Sequence, residues 1–520
     1  MKNKEKVNIL WADDEIELLK PHIIFLKEKG YEVVTTNSGN EALDIVKKQP
    51  FEIIFLDENM PGLSGIETLS QLQKIAPGTP VVMITKSEEE TIMDDAIGSN
   101  IADYLIKPVN PNQIFLCIKK ILDHKRLISE KTTSVYQQEF RDIWLTLMDK
   151  LGFRQWMDVY KKIANWDLKL EKSDDPGMNE VLRSQITEAN SLFSKYIESN
   201  YVSWLSGTAK EKPILSHTLV REKVFPVLSQ PAPIFLIVID NLRYDQWKIL
   251  QPLFENYFRV VEDDLYFSIL PTATHYARNA LFAGLLPTEI EKMYPDLWLN
   301  EEDEGTKNQY EEELFASLLK RFGKDVKFSY SKVLNMSFGK KLVETLPNLM
   351  SNKLNVIVYN FVDMLSHART DMEVIKELAD DEAAYRSLTL SWFEHSPLLD
   401  IIKFISEKKA NLIITTDHGS IRVQNPSKVV GDKNTNTNLR YKLGKALQYE
   451  KKDVFEIRNP HDVYLPRTNV STSYIFAKEN KYFAYPNNYN YYVGFYRNTF
   501  QHGGISMEEM MIPYVVLSPK

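Results

Sequence analysis

Three apolar runs in the second half of this 520-residue chain each drive into an acid. APIFLIVIDN ends near Asp240, LNVIVYNFVD at Asp363, and NLIITTDHGS reaches Asp417 and His418. Runs this rich in Ile, Val and Leu, with little polar alternation, suit strands covered on both faces, as in a parallel sheet. The sites of such sheets lie at the carboxyl ends of their strands. A carboxylate buried there is costly unless something neutralises it. Two further features join the three acids. Asp363 and His367 are four apart in DMLSH, so a helix starting there sets both on one face. His502 stands in QHGGISMEEMMIP, a Gly-Gly loop before another apolar strand. Three carboxylates and three imidazoles without a thiolate suit Zn²⁺, with Mn²⁺ or Fe as the alternatives. Six side chains exceed one tetrahedral ion and match a pair, and two ions roughly 4 Å apart can stabilise both oxygens of a phosphoryl displacement.

A nucleophile is available in LPTATHYARNALFAGLLP at 270–287, a Pro-Thr turn followed by a helical stretch that Gly284 would close. A threonine at such a helix start meets a phosphate where backbone N–H groups point outward. Ligation to zinc would lower its hydroxyl pKa.

The first 124 residues read differently. VNILWADD, YEVVTTN, FEIIFLD, PVVMIT and ADYLIKP are short apolar strands separated by stretches of helical period. This alternation predicts a parallel sheet with right-handed crossovers. Its strand ends carry Asp13 and Asp14, Asp57, Thr85 and Lys107. Three converging carboxylates suit Mg²⁺, and a carboxylate beside that ion can accept a phosphoryl group. The segment resembles the two-component receiver domain through ADD at 12–14, FLDENMPGLSG at 55–65, MITK at 83–86 and YLIKP at 104–108. The resemblance implies Asp57 as phosphoacceptor, Asp13 and Asp14 as the Mg²⁺ pocket, and Thr85 with Tyr104 as a switch pair. It implies Lys107 as the phosphate-binding cation, a cis Lys107-Pro108 bond, and a cognate sensor histidine kinase.

Residues 125–225 hold long amphipathic stretches broken by KSDDPG at 172–177, a turn by its chemistry. Four of the eight tryptophans, Trp144, Trp156, Trp166 and Trp204, fall here, enough aromatic area for the core of a small helical bundle. Composition bounds the rest. A net charge of −8 argues against a broad DNA-binding surface while leaving room for a local basic groove. No run of about 18 uncharged apolar residues suggests a membrane span. MKNKEKVNILWADDE shows no signal-peptide core, and Cys117 is the single cysteine, so the expected compartment is the cytoplasm.

VIDNLRYDQW, PTATHYARNALFAG, VDMLSH, TTDHGS and QHGGISMEEMMIP together resemble the alkaline phosphatase superfamily, within it the PglZ branch. The resemblance implies one zinc on Asp363, His367 and His502, and another on Asp240, Asp417, His418 and the Thr274 hydroxyl. P-T-x-T is similar to the nucleotide pyrophosphatase/phosphodiesterase pattern, in which the second threonine attacks, which selects Thr274 over Thr272. No position matches that group's transition-state asparagine, which leaves Arg243, Arg278 or a backbone amide. The whole chain resembles the PorX type of response regulator from Bacteroidota, linked to type IX secretion. The expected fold class is α/β: a flavodoxin-like receiver (1–124), an all-α helical-bundle connector (125–225), and an alkaline-phosphatase-like domain with a mostly parallel sheet (226–520).

The resemblance points to hydrolysis of nucleotide phosphodiesters, cyclic or linear, with phosphomonoesterase or phosphomutase as the enzyme alternatives. Another class stays open, a zinc-containing module that docks a transcription or sigma factor. QNPSKVVGDKNTNTNLRYKLGKAL at 424–447 carries Lys428, Lys433, Arg440 and Lys442. It reads either as a phosphate-binding loop or as a solvated one. The tyrosines of YPNNYNYYVGFYRN at 485–498 read as a strand and its turn, with base stacking as the alternative. Phosphorylation of Asp57 is expected to promote a homodimer through the receiver face formed by its last strand and the helices on either side of that strand, and so alter access to the zinc site.

Overall fold

The computed structural model describes residues 7–86, 101–171, 176–371, 381–432, 435–467 and 469–520, without the side chains of 123–134, 176 and 367–371. The chain divides into two compact units, Met1–Val135 and Tyr136–Lys520.

In the first unit, β1 (Asn8–Ala12), β2 (Glu32–Thr36), β3 (Ile53–Asp57), β4 (Val81–Thr85) and β5 (Asp103–Ile106) form a parallel sheet in the order β2-β1-β3-β4-β5. Strands β3 and β4 are buried along their whole length, as their unbroken apolar runs require. The order reverses between β1 and β3, so the crevice opens at the ends that carry Asp13 and Asp57. Ser64 and Glu67 form a reciprocal capping box that starts the helix Gly65–Ile75. Residues 87–100 belong to the expected dimer face and lie outside the described residues. The Lys107-Pro108 bond is cis.

The second unit is built on a six-stranded mixed sheet. Its strands β6 (Ile234–Ile239), β7 (Phe258–Phe267), β8 (Phe328–Val333), β9 (Leu354–Tyr359) and β10 (Asn411–Thr415) are followed along the chain by seven shorter strands. These are β11 (Ile421–Arg422), β12 (Asn425–Lys428), β13 (Tyr441–Lys445), β14 (Val454–Ile457), β15 (Thr472–Ala477), β16 (Lys481–Ala484) and β17 (Phe500–Gln501). Then β18 (Met511–Pro519) completes the main sheet in the order β7-β18-β10-β6-β9-β8. Strands β10, β6, β9 and β8 are mutually parallel, and β18 runs antiparallel to β10 and β7. The three acid-terminated runs are therefore β10, β6 and β9, side by side and pointing the same way. The short strands pair as β11-β17, β12-β16 and β13-β15-β14 beside this sheet.

The connector helices are not a bundle of their own. Phe153–Glu171 and Pro176–Ser206 share one continuous hydrophobic cluster with the main sheet. Phe193 is the hinge of this packing, with ring centroids 5.3 Å from Trp156 and 6.2 Å from Phe267 of β7. Trp204 packs on the same Phe267 at 5.5 Å. Of the four connector tryptophans Trp156, Trp166 and Trp204 are buried, whereas Trp144 is 40 % exposed and lies outside that core. Polar bonds add to the seam. Arg386 reaches Asp167 and Glu171 at 2.6 Å each, and Asn190 donates to Glu508 at 3.0 Å. Because one core serves both parts, Phe193→Ala is expected to destabilise connector and effector together, by about 3–5 kcal/mol. Calorimetry of the full chain should show a single transition for this unit, shifted as a whole.

Candidate metal centre

Parallel alignment of β6, β9 and β10 delivers the acids to one sheet edge. Asp240 follows β6 directly, and Asp417 and His418 follow β10 by two and three residues. Asp363 lies in the first turn of the helix Phe361–Asp371. His367 belongs to that helix, but its side chain lies outside the described residues. His502 arrives from the other side, at the end of β17 and before Gly503, whose φ of +121° suits glycine. The Asp-His-Gly turn needs its glycine for a different reason: a Cβ on Gly419 would stand 2.0 Å from the carbonyl oxygen of Glu508.

Ligand atoms of Asp240, Asp417 and His418 lie within 4.8 Å of one another, as do those of Asp363, His418 and His502. His418 thus stands between both sets, where the resemblance placed it in one. Its Nε2 is 3.6 Å from Asp240 and 3.7 Å from Asp417, and its ring stacks on His502 with centroids 4.2 Å apart. Both imidazoles are oriented from behind. His418 Nδ1 donates to the Gly419 carbonyl at 3.1 Å, and His502 Nδ1 to the Thr272 carbonyl at 3.2 Å. Each Nε2 is left with its lone pair toward the acids, the tautomer a metal ligand requires.

Thr274 opens the helix Thr274–Ala283, which Gly284 closes with φ +59°. Its Oγ1 is 3.0 Å from His418 Nε2 and 3.4 Å from Asp240 Oδ1. Thr272 is differently engaged. Its hydroxyl donates to the Gly504 carbonyl at 2.9 Å and accepts from Gly503 N–H at 3.0 Å, fixing the His502 loop.

The electrostatics call for a cation. Burial pushes the Asp240 carboxyl up to about 8, against the pull of Arg278. Burial likewise raises Asp417 and lowers His418. Asp417 Oδ2 is buried without a hydrogen-bond partner, a state that a metal ion would relieve. These donors fit a hard-to-borderline divalent ion held by N and O ligands.

Arg278, expected among the phosphate contacts, is instead wholly buried beneath the acids. Its Nη1 lies 2.6 Å from Asp240 and 3.7 Å from Asp417, and its Nε 2.6 Å from Glu311. Glu311 is in turn held by Asn308 at 2.7 Å, by Lys332 at 3.2 Å and by the Tyr330 hydroxyl. The other proposed cations are also matched inside the fold. Arg243 is buried on Asp245 and Glu382, and Arg440 on Glu509. Lys442 is buried over the Tyr485 ring, donating to the Asn436 carbonyl at 2.7 Å, and burial brings its ammonium down to about 7. The stretch 424–447 is therefore no open basic loop, because β12 and β13 fold its charges inward. Lys428 remains exposed, and Lys433 lies outside the described residues.

Sequence reasoning missed the residues that hold the ligands. Asn241, at φ +63°, turns its amide toward Asp363 at 3.4 Å and Ser366 at 3.3 Å. Thr416 Oγ1 accepts from Leu242 N–H at 3.0 Å, tying the β10 exit to the β6 exit. An asparagine directly after a strand-ending acid was the available signal, since Asn tolerates that backbone region.

In the first unit, carboxylate oxygens of Asp13, Asp14 and Asp57 lie within 4.8 Å of one another. Lys107 bridges Asp13 and Asp57 at 2.8 Å each. Burial raises the Asp57 carboxyl and Lys107 counters it. Thr85 ends β4, and Tyr104 lies on the neighbouring β5.

Comparison with known proteins decides the family. The sequence model of the BREX system PglZ alkaline phosphatase-like domain matches residues 219–517. The chain belongs to the PglZ family. The PorX response regulator linker domain matches residues 126–205, and the response regulator receiver domain residues 9–119. Receiver, linker and PglZ domain in this order make a PorX-type response regulator. The transcriptional regulatory protein ZraR of Escherichia coli is 30% identical over 136 residues, 26% of this chain and 31% of that protein. The chain thus spans about a third of that relative. The CpxR homolog of Haemophilus influenzae is 34% identical over 164 residues, 31% of this chain and 70% of that protein. A receiver domain protein of Methanospirillum hungatei, solved as a crystal structure, is 28% identical, with 23% of this chain and 96% of that chain covered and a TM-score of 0.23. Among the described residues no helix is long and apolar enough to cross a membrane.

Removing the buried cation beneath the PglZ site leaves two carboxylates uncompensated. Arg278→Ala is expected to destabilise the second unit by about 3–5 kcal/mol even in chelator. Thermal unfolding of chelated wild type and variant checks this.

Proposed function

We propose that the PglZ domain is a two-zinc phosphodiesterase acting on nucleotide phosphodiesters, cyclic or linear, under the control of phosphorylation at Asp57. The observation that carries the reading is Thr274: its hydroxyl sits at a helix start, within 3.0 Å of His418 and 3.4 Å of Asp240. Asp240, Asp417, His418 and Thr274 would hold one zinc, and Asp363, His502 and His367 the other, with His418 close enough to serve either set. When bound, the ions supply Lewis acidity to the phosphoryl oxygens and to the threonine hydroxyl.

Thr274 Oγ attacks phosphorus in line as the bond to the leaving alcohol breaks, and the alcohol departs with a proton. A threonine phosphoester remains. Water then attacks that phosphorus, releases the monoester product and returns the proton to Thr274. The bonds at their Nδ1 atoms hold His418 Nε2 3.0 Å from the Thr274 hydroxyl and His502 Nε2 3.6 Å from Asp363. Arg278 already matches part of the ligand charge from below, and Arg243 and Arg440 are paired inside the fold, so among the described residues none of these three offers a free guanidinium to a dianionic monoester. That favours the less charged diester.

Zinc analysis of the purified protein should give two ions per chain. Thr274→Ala should lower kcat/KM toward bis-p-nitrophenyl phosphate by at least about 10³-fold, the scale of a lost nucleophile. Turnover of p-nitrophenyl phosphate alone would replace the diesterase by a monoesterase. A cellular response that survives Thr274→Ala would favour docking of a transcription or sigma factor.

The receiver half supports a regulatory partnership with a sensor kinase. On this reading phosphorylated Asp57 drives a homodimer in the cytoplasm, coupled to type IX secretion. Beryllofluoride should raise the mass in light scattering from monomer to dimer and change the diesterase rate, whereas Asp57→Asn should do neither.

A further inference from the structure

Thr272 stands two residues before Thr274 in PTAT, yet its hydroxyl is closed to any substrate. The residue is wholly buried, and Oγ1 is used twice, donating to the Gly504 carbonyl and accepting from the Gly503 N–H. A hydroxyl has one proton to give, and this one is spent inside the fold. The Thr272 carbonyl is used as well, accepting from His502 Nδ1 at 3.2 Å. One residue thus meets three consecutive positions of the facing loop, 502, 503 and 504.

That loop needs such a clamp. Gly503 and Gly504 bring no side chain to anchor the turn, and glycine leaves the widest range of backbone conformations open. The loop is fixed on either side of them. Before it, Gln501 of β17 pairs with Ile421 of β11. After it, Gly504 N–H donates to Glu509 Oε1 at 2.9 Å, with Glu509 paired to Arg440 at 2.6 Å, and Ile505 N–H donates to the Ala477 carbonyl at 2.9 Å. Between these ends the His502 ring and the Gly503 N–H both bond to Thr272.

The consequence falls on one donor set. With Nδ1 on the Thr272 carbonyl, His502 has its Nε2 3.6 Å from Asp363. Thr274, at the other end of the same short turn, lies beside Asp240 and His418 instead. Partners behind a ligating imidazole fix its tautomer and its orientation, and their loss typically weakens a metal site about 10- to 100-fold.

We infer that Thr272 is the positioning residue of the donor set that contains Asp363 and His502: its hydroxyl clamps the Gly503-Gly504 turn and so aims the His502 imidazole. The inference rests on the two-zinc reading above and is independent of the substrate.

The test compares Thr272→Val, which keeps the shape and the carbonyl but lacks the hydroxyl, with Thr272→Ser, which keeps the hydroxyl. Zinc binding to the full-length protein is followed by competition with a chromophoric chelator. The valine variant should weaken one of the two ions about 10- to 100-fold and spare the other, and the serine variant should restore it. Thr272→Val/His502→Gln should bind zinc no worse than His502→Gln alone, because a hydroxyl that acts through His502 has nothing to add once the imidazole is gone. Loss of both ions alike, loss of neither, or additive losses in the double variant overturns the assignment. Thr272→Ala replaces the valine variant if that chain does not fold. A wild type that takes up fewer than two zinc ions overturns the two-zinc reading instead, and the tautomer of His502 in the chelated protein then decides. Read by nitrogen-15 shifts at a pH above the histidine range, with His502 identified by the signal lost in His502→Gln, the ring should hold Nδ1–H in wild type and Thr272→Ser and give a mixture in Thr272→Val. The same tautomer in all three chains, or a mixture already in wild type, rejects the role of Thr272.

Discussion

Burying carboxylates at the edge of a parallel sheet is the constraint on which the second unit depends. Asp240 and Asp417 are both fully covered, and Arg278 beneath them meets Asp240 at 2.6 Å. The guanidinium does not complete the neutralisation, since it also serves Glu311 and leaves Asp417 Oδ2 without a hydrogen bond. A buried network left partly satisfied is unfavourable in a purely structural core and informative at a functional one. Here the unsatisfied Oδ2 lies 3.7 Å from His418 Nε2, the atom that also meets the Thr274 hydroxyl. The cation beneath organises the acids, and the deficit above is what a divalent ion would meet.

The surrounding architecture follows from holding that edge in register. Glycine at 419 lets the β10 exit approach the Glu508 carbonyl, and Asn190 of the connector bonds the Glu508 side chain. Arg386 joins Asp167 and Glu171 of the connector to Asp245, which also holds Arg243 just after the β6 exit. Connector helices therefore touch residues adjoining two of the ligand-bearing turns. Few contacts therefore separate the packing of those helices from the candidate metal loops. This gives the PorX-type order of domains a physical sense, because the linker and the PglZ domain share one core rather than being joined by a flexible tether.

Much of this was legible beforehand where the signal was local and periodic. The receiver strands, the acid-terminated runs, the closing role of Gly284 and the Asp-His-Gly turn are short-range patterns with a direct physical cause. The fate of isolated cations was not legible. Arg243, Arg278, Arg440 and Lys442 look alike in a sequence, and each found its partner far along the chain or within its own turn. The 424–447 stretch misled for the same reason, since a polar composition does not reveal that β13 pairs with β15 and carries Lys442 inward. Aromatic residues favour strands, so 485–498 reads as a strand and its turn, yet the structure makes a helix of Tyr489–Tyr496.

By itself the sequence determined which residues could carry chemistry: carboxylates and imidazoles at strand ends, a threonine at a helix start, and a phosphoacceptor among acids. Those assignments rest on residue type and spacing, which survive any arrangement of the chain. Only the tertiary structure decided which of them meet. Sheet order placed β10, β6 and β9 side by side, put His418 between two ligand sets, and sent Arg278 beneath the acids rather than toward the substrate. Long-range pairing governs such choices, because burial makes every charge seek whatever partner the fold brings near, and that partner is not written beside it in the chain.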